Sequence, residues 1–313
     1  MNTPVLFLIF NRPDLTEKVF SVIRQVQPKQ LFIAADGPRE DKLGEAVLCA
    51  ETRKIVMNMI NWDCEVHTLF REKNLGCKIA VSAAITWFFE SVEEGIILED
   101  DCLPSKTFFS FCEKLLNEYK DFDSVKHIGG SCFLNFTPNE SFYFTIYTHI
   151  WGWATWKRAW KDYDVNIEHW PLYKGKNEFK KIFNSKKEYL FWASNFDSVY
   201  SKIFDTWDFQ WLFTAIKNNG LSIAPSKNLI KNIGFRYDAT HVIDPNSSVA
   251  NLEIFDFDTE YLNYPCSIEI NKRADQYIHD YYFGLKKKNP LKIVKDFCGS
   301  VLNRIKKLAK NSY

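Results

Sequence analysis

The sequence lacks the short motifs that most often identify a nucleotide, zinc or redox site. None of its eight cysteines forms a Cys-x-x-Cys pair, so zinc and thiol–disulfide motifs are unsupported. No Gly-x-Gly-x-x-Gly and no Gly-x-x-x-x-Gly-Lys follows an apolar run, which excludes a dinucleotide fingerprint and a P-loop. A nucleotide bound by this chain would therefore need side chains and a metal ion in place of a glycine-rich loop.

Long apolar runs and a targeting signal are also missing. The apolar run at residues 5–10 is too short to cross a bilayer, and the first residues contain no basic segment followed by a cleavage site. We therefore expect a cytoplasmic protein with reduced thiols. The composition, 46% hydrophobic and 25% charged residues in 313, is ordinary for a globular chain that buries a large core.

Charge is unevenly distributed, although the net charge is only +1. Residues 285–313 carry nine Lys or Arg and one acidic residue, so the remainder is net acidic, which argues against nucleic-acid binding. Apolar residues recur every three or four positions in this segment, opposite lysines, which predicts a basic amphipathic helix. Such a helix either binds an anionic membrane or packs on the protein or a partner. We favour peripheral binding to the inner face of the cell membrane.

Strand-like and helix-like segments alternate along the first hundred residues. Continuous apolar runs predict buried strands at residues 4–10, 30–35 and 95–98, and a further short strand is predicted at 65–70. The predicted helices between them cover about residues 15–25, 42–60 and 80–90. This alternation predicts an α/β fold with a doubly wound, mostly parallel sheet. Asp14 and Asp205 are candidate N-caps of the helices that follow them.

Three adjacent carboxylates, Glu99, Asp100 and Asp101, directly follow the fourth predicted strand. Open α/β sheets bind ligands at the carboxyl ends of their strands, so this position is suited to a site. Adjacent carboxylates repel one another and need a cation or full solvation. Their oxygens suit Mg²⁺ or Mn²⁺, which accept one or two carboxylates together with phosphate oxygens. The alternative is a solvated acidic turn.

Polar side chains also follow the other strands, at the same predicted edge of the sheet. Arg12, Asp36 and Arg71 come after the first, second and third strands, and Lys78 follows shortly afterwards. A carboxylate such as Asp36 suits a base or a ribose hydroxyl, whereas the three cations suit phosphates. Each charge alone is explained as a solvated loop residue. Their common placement predicts a nucleotide site.

The order of these features resembles the GT-A glycosyltransferases, which use sugar nucleotides. The matching blocks are Asn11-Arg12-Pro13-Asp14, Ala35-Asp36-Gly37 and Ile97-Leu98-Glu99-Asp100-Asp101, the last similar to the Glu-Asp-Asp form of that group's Asp-x-Asp motif. The chain looks most like inverting enzymes of the N-acetylglucosaminyltransferase I type and similar bacterial transferases, over about residues 4–236. The resemblance implies a Rossmann-like GT-A fold with a small second sheet. It also implies that Asp101 holds the metal, that Asp100 contacts the ribose or metal, and that Glu99 supports them.

Two later blocks fit the same resemblance. Trp151-Gly152-Trp153 is similar to the family's glycine-containing turn before a short helix. Either tryptophan ring is a candidate for stacking on a sugar, and a place in the hydrophobic core is an equal alternative. In residues 205–211 the resemblance implies that Asp208 is the base that deprotonates the acceptor hydroxyl, with Asp205 as the fallback.

Together these features predict a metal-dependent inverting glycosyltransferase of the hexosyl- or N-acetylhexosaminyltransferase type. It would move a sugar from a nucleotide-diphosphate sugar, UDP-linked by default from the resemblance, to a glycan, lipid-linked or protein acceptor. We expect one GT-A domain at 1–284, divided into a donor half (1–101), an acceptor half (102–240) and an unassigned extension (241–284), and a tail at 285–313. The alternatives are a non-catalytic carbohydrate- or nucleotide-binding protein and a sugar nucleotidyltransferase, whose glycine-rich signature is missing.

Overall fold

A computed structural model describes residues 1–235 and 252–283, and within them a central sheet of eight strands. The strands of this sheet are β1 (Val5–Ile9), β2 (Gln30–Ala35), β3 (Glu65–Phe70), β4 (Glu94–Glu99), β6 (Val125–Gly129), β7 (Phe142–Thr145), β8 (Trp153–Trp156) and β9 (Leu221–Pro225). Their order across the sheet is β3-β2-β1-β4-β8-β6-β9-β7. A second sheet pairs β5 (Cys102–Pro104) antiparallel with β10 (Ile230–Asn232).

Helices connect most of these strands. They are α1 (Pro13–Val26), α2 (Glu45–Met59), α3 (Gly76–Ser91), α4 (Lys106–Tyr119), α5 (Lys157–Trp160), α6 (Trp170–Tyr173), α7 (Asn177–Lys180), α8 (Lys186–Tyr200), α9 (Asp208–Lys217) and α10 (Lys272–Tyr277). A π-helical turn, Ile278–Tyr282, continues α10.

The strand pairings confirm the predicted fold class. Strands β1 to β4 pair in parallel, and β6 and β9 run in the same direction, whereas β7 and β8 are reversed. The molecule is therefore an α/β protein with a doubly wound, mostly parallel sheet and a small second sheet, as in a Rossmann-like GT-A fold. The parallel half places the ends of β1, β2 and β4 beside one another.

Strand β1 shows why these runs are continuous rather than alternating. Val5, Phe7 and Ile9 pack into the hydrophobic cluster beneath α1 and α4, while Leu6 and Leu8 pack on the opposite face with α3. All five side chains are buried. A strand covered on both faces has no position for a polar residue, so the polar residues collect after its last residue.

Two predicted helix caps are wrong. Helix α1 begins at Pro13 with Arg12 at its N-cap position, so Asp14 lies inside the first turn. Proline is favoured at the first helical position because its missing N–H has no partner there in any case. Helix α9 begins at Asp208 with Trp207 at the N-cap, so Asp205 precedes the helix without capping it.

The block around the tryptophans is a strand and not only a turn. Residues Trp153–Trp156 form β8, which lies antiparallel between β4 and β6 and leads into the short helix α5. Gly152, just before it, has φ +62°, and a Cβ there would lie 2.5 Å from Ile230 Cδ1 and 2.8 Å from Ile230 Cγ1. Glycine is therefore required at this position both by backbone conformation and by close packing against the second sheet.

The C-terminal segment of the described chain packs on the second half of the sheet. Ile270 forms a parallel bridge with Phe144, and the buried Asp275 accepts a hydrogen bond of 3.1 Å from the Ile146 N–H. Within the described residues, no helix is long and apolar enough to span a membrane. The predicted amphipathic helix at 285–313 lies outside the described residues.

Candidate functional site

A cavity of about 450 Å³ lies at the carboxyl ends of β1, β2 and β4. Small-molecule sites typically fall in this range of volume. Its wall contains nearly all of the sequence-predicted site residues, namely Arg12, Asp36, Arg71, Glu99, Asp100, Asp101, Trp151, Asp205 and Asp208. The sheet therefore brings together side chains that are separated by almost two hundred residues in the chain.

The acidic end of β4 is bound to Arg12. The guanidinium donates to Asp101 Oδ2 over 2.9 Å and also to Asp100 Oδ1. Asp100 is 2% exposed and accepts a further bond of 3.2 Å from the Phe10 N–H. Burial opposes the charge of Arg12, but the two carboxylates more than offset this and raise its pKa. Arg12 therefore lies in the wall as a cation fixed between two acids.

Burial is the largest cause of the raised pKa values of the carboxyl groups at the end of β4. Loss of solvent raises the pKa of Glu99, and the charges of Asp101 and Asp100 raise it further. Burial also raises the pKa of Asp100, against the opposing effect of Arg12. The acids at this strand end therefore resist full ionisation, and an added cation would favour their charged forms.

Asp36 is held by the start of α3. Its oxygens accept the N–H groups of Gly37 at 2.9 Å, Leu75 at 3.0 Å and Gly76 at 3.2 Å, and the Asn74 amide at 2.9 Å. Burial raises its pKa, and these hydrogen bonds oppose the shift. Asp36 therefore fixes the loop that forms one side of the cavity, with its oxygens already engaged.

Two basic residues depart from the sequence prediction, since Lys78 lies outside the cavity wall and Arg39 lies in it. Lys78 does not line the cavity: its side chain is 9% exposed, its Nζ lies 3.4 Å from Asn166 Oδ1, and burial lowers its pKa. Arg39 is not among the residues predicted from sequence, and it does line the cavity. It is paired with the buried Glu45 and lies 5.7 Å from the Phe10 ring. Arg39 therefore adds a second cation to the side near Arg12.

The second sheet closes the cavity behind Asp101. The Asp101 carbonyl accepts a 2.8 Å bond from the Ile233 N–H, which brings Gly234 against the carboxylate. A Cβ at residue 234 would lie 2.4 Å from Asp101 Oδ2. Gly234 also receives its position from Asn232, whose Oδ1 accepts the Gly234 N–H over 2.8 Å. Gly234 is not among the residues predicted from sequence.

Helix α9 brings Asp208 to the wall of the same cavity. Trp211, one turn further along, donates from Nε1 to His127 Nδ1 over 3.1 Å, and His127 Nε2 lies 3.1 Å from the His149 carbonyl. Burial lowers the pKa of His127 to about 3, so the ring is neutral and donates from Nε2 to that carbonyl. The helix is thereby tied to β6. Asp208 also accepts a short hydrogen bond from Thr206 Oγ1.

The two candidate tryptophans have different environments. Trp151 lines the cavity and meets Phe235 edge-on, with ring centroids 5.6 Å apart. Trp153 is 0% exposed and lies between the rings of His127 and Trp207, at centroid distances of 5.1 and 5.7 Å. Trp153 is therefore a core residue in this structure, and Trp151 is the ring available to a ligand.

The donor set suits a cation held largely by substrate. Within residues 1–235 and 252–283, no group of three His, Cys, Asp or Glu side chains is arranged to hold a metal ion. Asp101 lines the cavity with 17% of its side chain exposed, and Asp100 lies beside it. Mg²⁺ in transferases is often bound by only one or two carboxylates and by phosphate oxygens. These residues fit that mode, provided that Arg12 releases Asp101 Oδ2.

Comparison with known proteins gives weak structural likenesses only. No family model and no curated protein sequence matches the chain. S. aureus TarS 1–349 is 11% identical with a TM-score of 0.41, over 74% of this chain and 60% of that fragment. UDP-glucose pyrophosphorylase complexed with UDP-glucose is 10% identical with a TM-score of 0.35, over 72% of this chain and 90% of that chain. HddC from Yersinia pseudotuberculosis is 11% identical with a TM-score of 0.32, over 51% of this chain and 80% of that chain. Likenesses this low leave the function to be argued from the site itself.

Proposed function

We propose that the protein is an inverting glycosyltransferase that uses a nucleotide-diphosphate sugar, by default UDP-linked. The observation that carries the proposal is that the acidic end of β4, Arg12 and Asp208 line one cavity at the carboxyl edge of the sheet. A cation and a base in the wall of one cavity suit a reaction in which a diphosphate leaves as a hydroxyl attacks. The proposal includes the similarity of this chain to inverting enzymes of the N-acetylglucosaminyltransferase I type.

Each wall has its own task in this proposal. The side formed by Arg12 and Arg39 binds the diphosphate, because a guanidinium group can donate two parallel hydrogen bonds to phosphate oxygens. The loop fixed by Asp36 holds the nucleoside, with Arg71 beside it. Asp208 takes the proton of the acceptor hydroxyl as it attacks the anomeric carbon, and Asp205 is the fallback for this role.

A divalent cation, Mn²⁺ or Mg²⁺, is part of the proposal. Asp101 and Asp100 would hold it, and it would neutralise the departing diphosphate. Arg12 then has a second use, since it balances the same carboxylates before the donor binds.

The test measures turnover of a panel of nucleotide sugars, with and without Mn²⁺. The quantity measured is the nucleoside diphosphate that is released. We expect at least one donor to be hydrolysed or transferred, with inversion of the anomeric configuration seen by NMR. Asp101→Asn should lower turnover by at least about tenfold. The matched control is Asp121→Asn, at an exposed position, which should behave as wild type. Equal turnover in both variants would contradict the proposal.

Two other functions are separated by the same assay. A binding protein would be stabilised by a nucleotide sugar without releasing nucleoside diphosphate. A sugar nucleotidyltransferase would release pyrophosphate from a sugar phosphate and a nucleoside triphosphate. The residues after β1 are Asn11-Arg12-Pro13, which contain no glycine-rich loop for a triphosphate, and this favours glycosyl transfer.

A further inference from the structure

A second, smaller cavity of about 70 Å³ opens beside the first. The two cavities share Ile150, Trp151 and Asp208 in their walls, so they meet at the carboxylate of the proposed base. A nucleophile that gives its proton to Asp208 has to approach from one of these two cavities. The larger one is the proposed donor site, which leaves the smaller one for the acceptor.

Aromatic rings form most of the smaller cavity. Phe133 stacks on Tyr282 with centroids 4.1 Å apart and meets Trp151 edge-on at 5.3 Å. Trp192 meets Phe283 edge-on at 4.9 Å. Rings of this kind bind the C–H faces of a saccharide well, because the hydrogens of the sugar lie against the negative faces of the rings.

Polar groups in the wall complement this apolar surface. His149 Nε2 is buried and has no hydrogen-bond partner among the described residues. Asp208 is the one charged side chain of this wall within the described chain, and no Lys or Arg of residues 1–235 or 252–283 contributes to it. An anionic ligand such as a phosphate is therefore disfavoured, whereas a neutral ring with hydroxyl groups matches the wall.

Tyr282 and Phe283 come from the C-terminal extension, to which the sequence assigned no role. Asn271 caps α10 by accepting the Ala274 N–H over 3.0 Å, and Ile278 is 0% exposed in the neighbouring hydrophobic cluster. The π-helical turn that follows carries Tyr282 to the cavity. Such turns are rare and occur frequently at functional sites. Burial raises the pKa of Tyr282, and the charge of Asp208 raises it further, as expected for neighbouring groups.

We propose that this aromatic cavity is the acceptor subsite, that it binds a neutral sugar ring, and that the C-terminal extension supplies part of its wall through Tyr282. The inference rests on the proposed glycosyltransferase function. It makes acceptor choice depend on residues outside the segment that resembles the GT-A family, which ends near residue 236.

The experiment measures binding of a panel of methyl hexosides and methyl N-acetylhexosaminides by saturation-transfer NMR, with UDP and Mn²⁺ present. We expect at least one glycoside to bind the wild-type protein. Tyr282→Ala and Phe133→Ala should weaken that binding at least tenfold. Tyr281→Ala is the matched control, because Tyr281 is 46% exposed, stacks on Tyr277 and lies outside the cavity wall. The UDP affinity of every variant is measured alongside as evidence of folding.

Two results would overturn the inference. One is a glycoside that binds equally well to the wild type, Tyr282→Ala and Phe133→Ala. The other is a wild-type protein that binds UDP but none of the glycosides. Failure of the proposed function itself looks different, since the wild-type protein would then bind no nucleotide sugar and release no nucleoside diphosphate.

Discussion

Asp208 is the residue on which the chemistry of the account depends. It lines both cavities, and α9 fixes its position through the Trp211–His127 hydrogen bond. Asp208→Asn keeps the size of the side chain but cannot accept the acceptor's proton. We expect sugar transfer to fall by about 10²- to 10⁴-fold, with little change in donor affinity.

The measurement for Asp208 compares transfer rates and UDP affinity with those of Asp205→Asn. Asp205 lines the donor cavity just before α9. If Asp205→Asn lost the activity while Asp208→Asn retained it, the assignment of the base would move to the fallback residue.

Gly234 tests the close packing behind Asp101. In Gly234→Ala the new Cβ would lie 2.4 Å from Asp101 Oδ2, so the carboxylate or the backbone must move. We expect a loss of about 1–3 kcal/mol in the free energy of unfolding and at least a tenfold loss of turnover. Gly175→Ala is the control, because Gly175 has φ +84° but no heavy atom within 4 Å of its added Cβ.

The control separates backbone strain from steric displacement at the site. Gly175→Ala should lose about 1 kcal/mol of stability and keep its turnover. Unfolding by urea and the steady-state rate check both variants. Full turnover in Gly234→Ala would show that the position of Asp101 is not critical.

The residues that line the cavity could be predicted from sequence where they directly follow a strand of the parallel sheet. Arg12, Asp36, Arg71 and the acids of β4 could be grouped because parallel strands end at a common edge. Arg39 and Gly234 could not be found in this way. Their contributions depend on a loop conformation and on pairing between β5 and β10, which are remote in sequence and set by packing.

Among the elements, helix α4 has a side-chain N-cap at Ser105. Ser105 Oγ accepts the Phe108 N–H over 3.3 Å at the start of α4, whose apolar face packs on β4 and β6. Ser105→Ala should lose about 1 kcal/mol in the free energy of unfolding, because that N–H then keeps only its 3.3 Å contact with the Ser105 carbonyl. Ser110→Ala is the control within the same helix, since its exposed hydroxyl bonds only to the Thr107 carbonyl among the contacts described.

Chemical denaturation of the two serine variants provides the measurement. Ser110→Ala should be as stable as the wild type or slightly more stable, because alanine favours helix. Equal destabilisation in both variants would show that the cap contributes nothing specific to α4.

Other elements show where sequence patterns fail. The predicted boundaries of β2 and β3 are correct, and those of β2 follow from an apolar run between breakers. Strand β8 was interpreted as a turn, because a short aromatic run after a glycine gives no periodicity to distinguish the two. Its antiparallel place between β4 and β6 depends on long-range pairing, which local sequence does not encode.

At the scale of the whole molecule, the alternation of strands and helices was enough to predict the doubly wound sheet. It was not enough to predict that α10 and its π-helical turn return to the cavity. That contact is made by buried residues, such as Asp275 and Ile278, whose partners lie directly after β7 and in the cluster beside α8. The extension carries no pattern of its own that identifies a binding surface.

The basic tail at 285–313 remains a prediction from sequence. Deleting it should abolish binding to vesicles containing anionic lipid and leave hydrolysis of a soluble donor unchanged. Each cation near such a surface contributes about 1 kcal/mol of binding free energy, so removing all nine should greatly weaken binding to the membrane. Co-sedimentation with anionic and with neutral vesicles is the measurement. Undiminished binding of the truncated protein to anionic vesicles would contradict the prediction.

The central claim is that a sugar-nucleotide diphosphate binds at the carboxyl edge of the sheet, between Arg12 and Asp101. A crystal structure of the protein with UDP and Mn²⁺ tests this most directly, since the anomalous signal of manganese locates the cation independently of the nucleotide. We predict diphosphate density in the 450 Å³ cavity, with manganese between it and Asp101. UDP bound elsewhere on the protein, or no bound UDP at saturating concentration, would contradict the account.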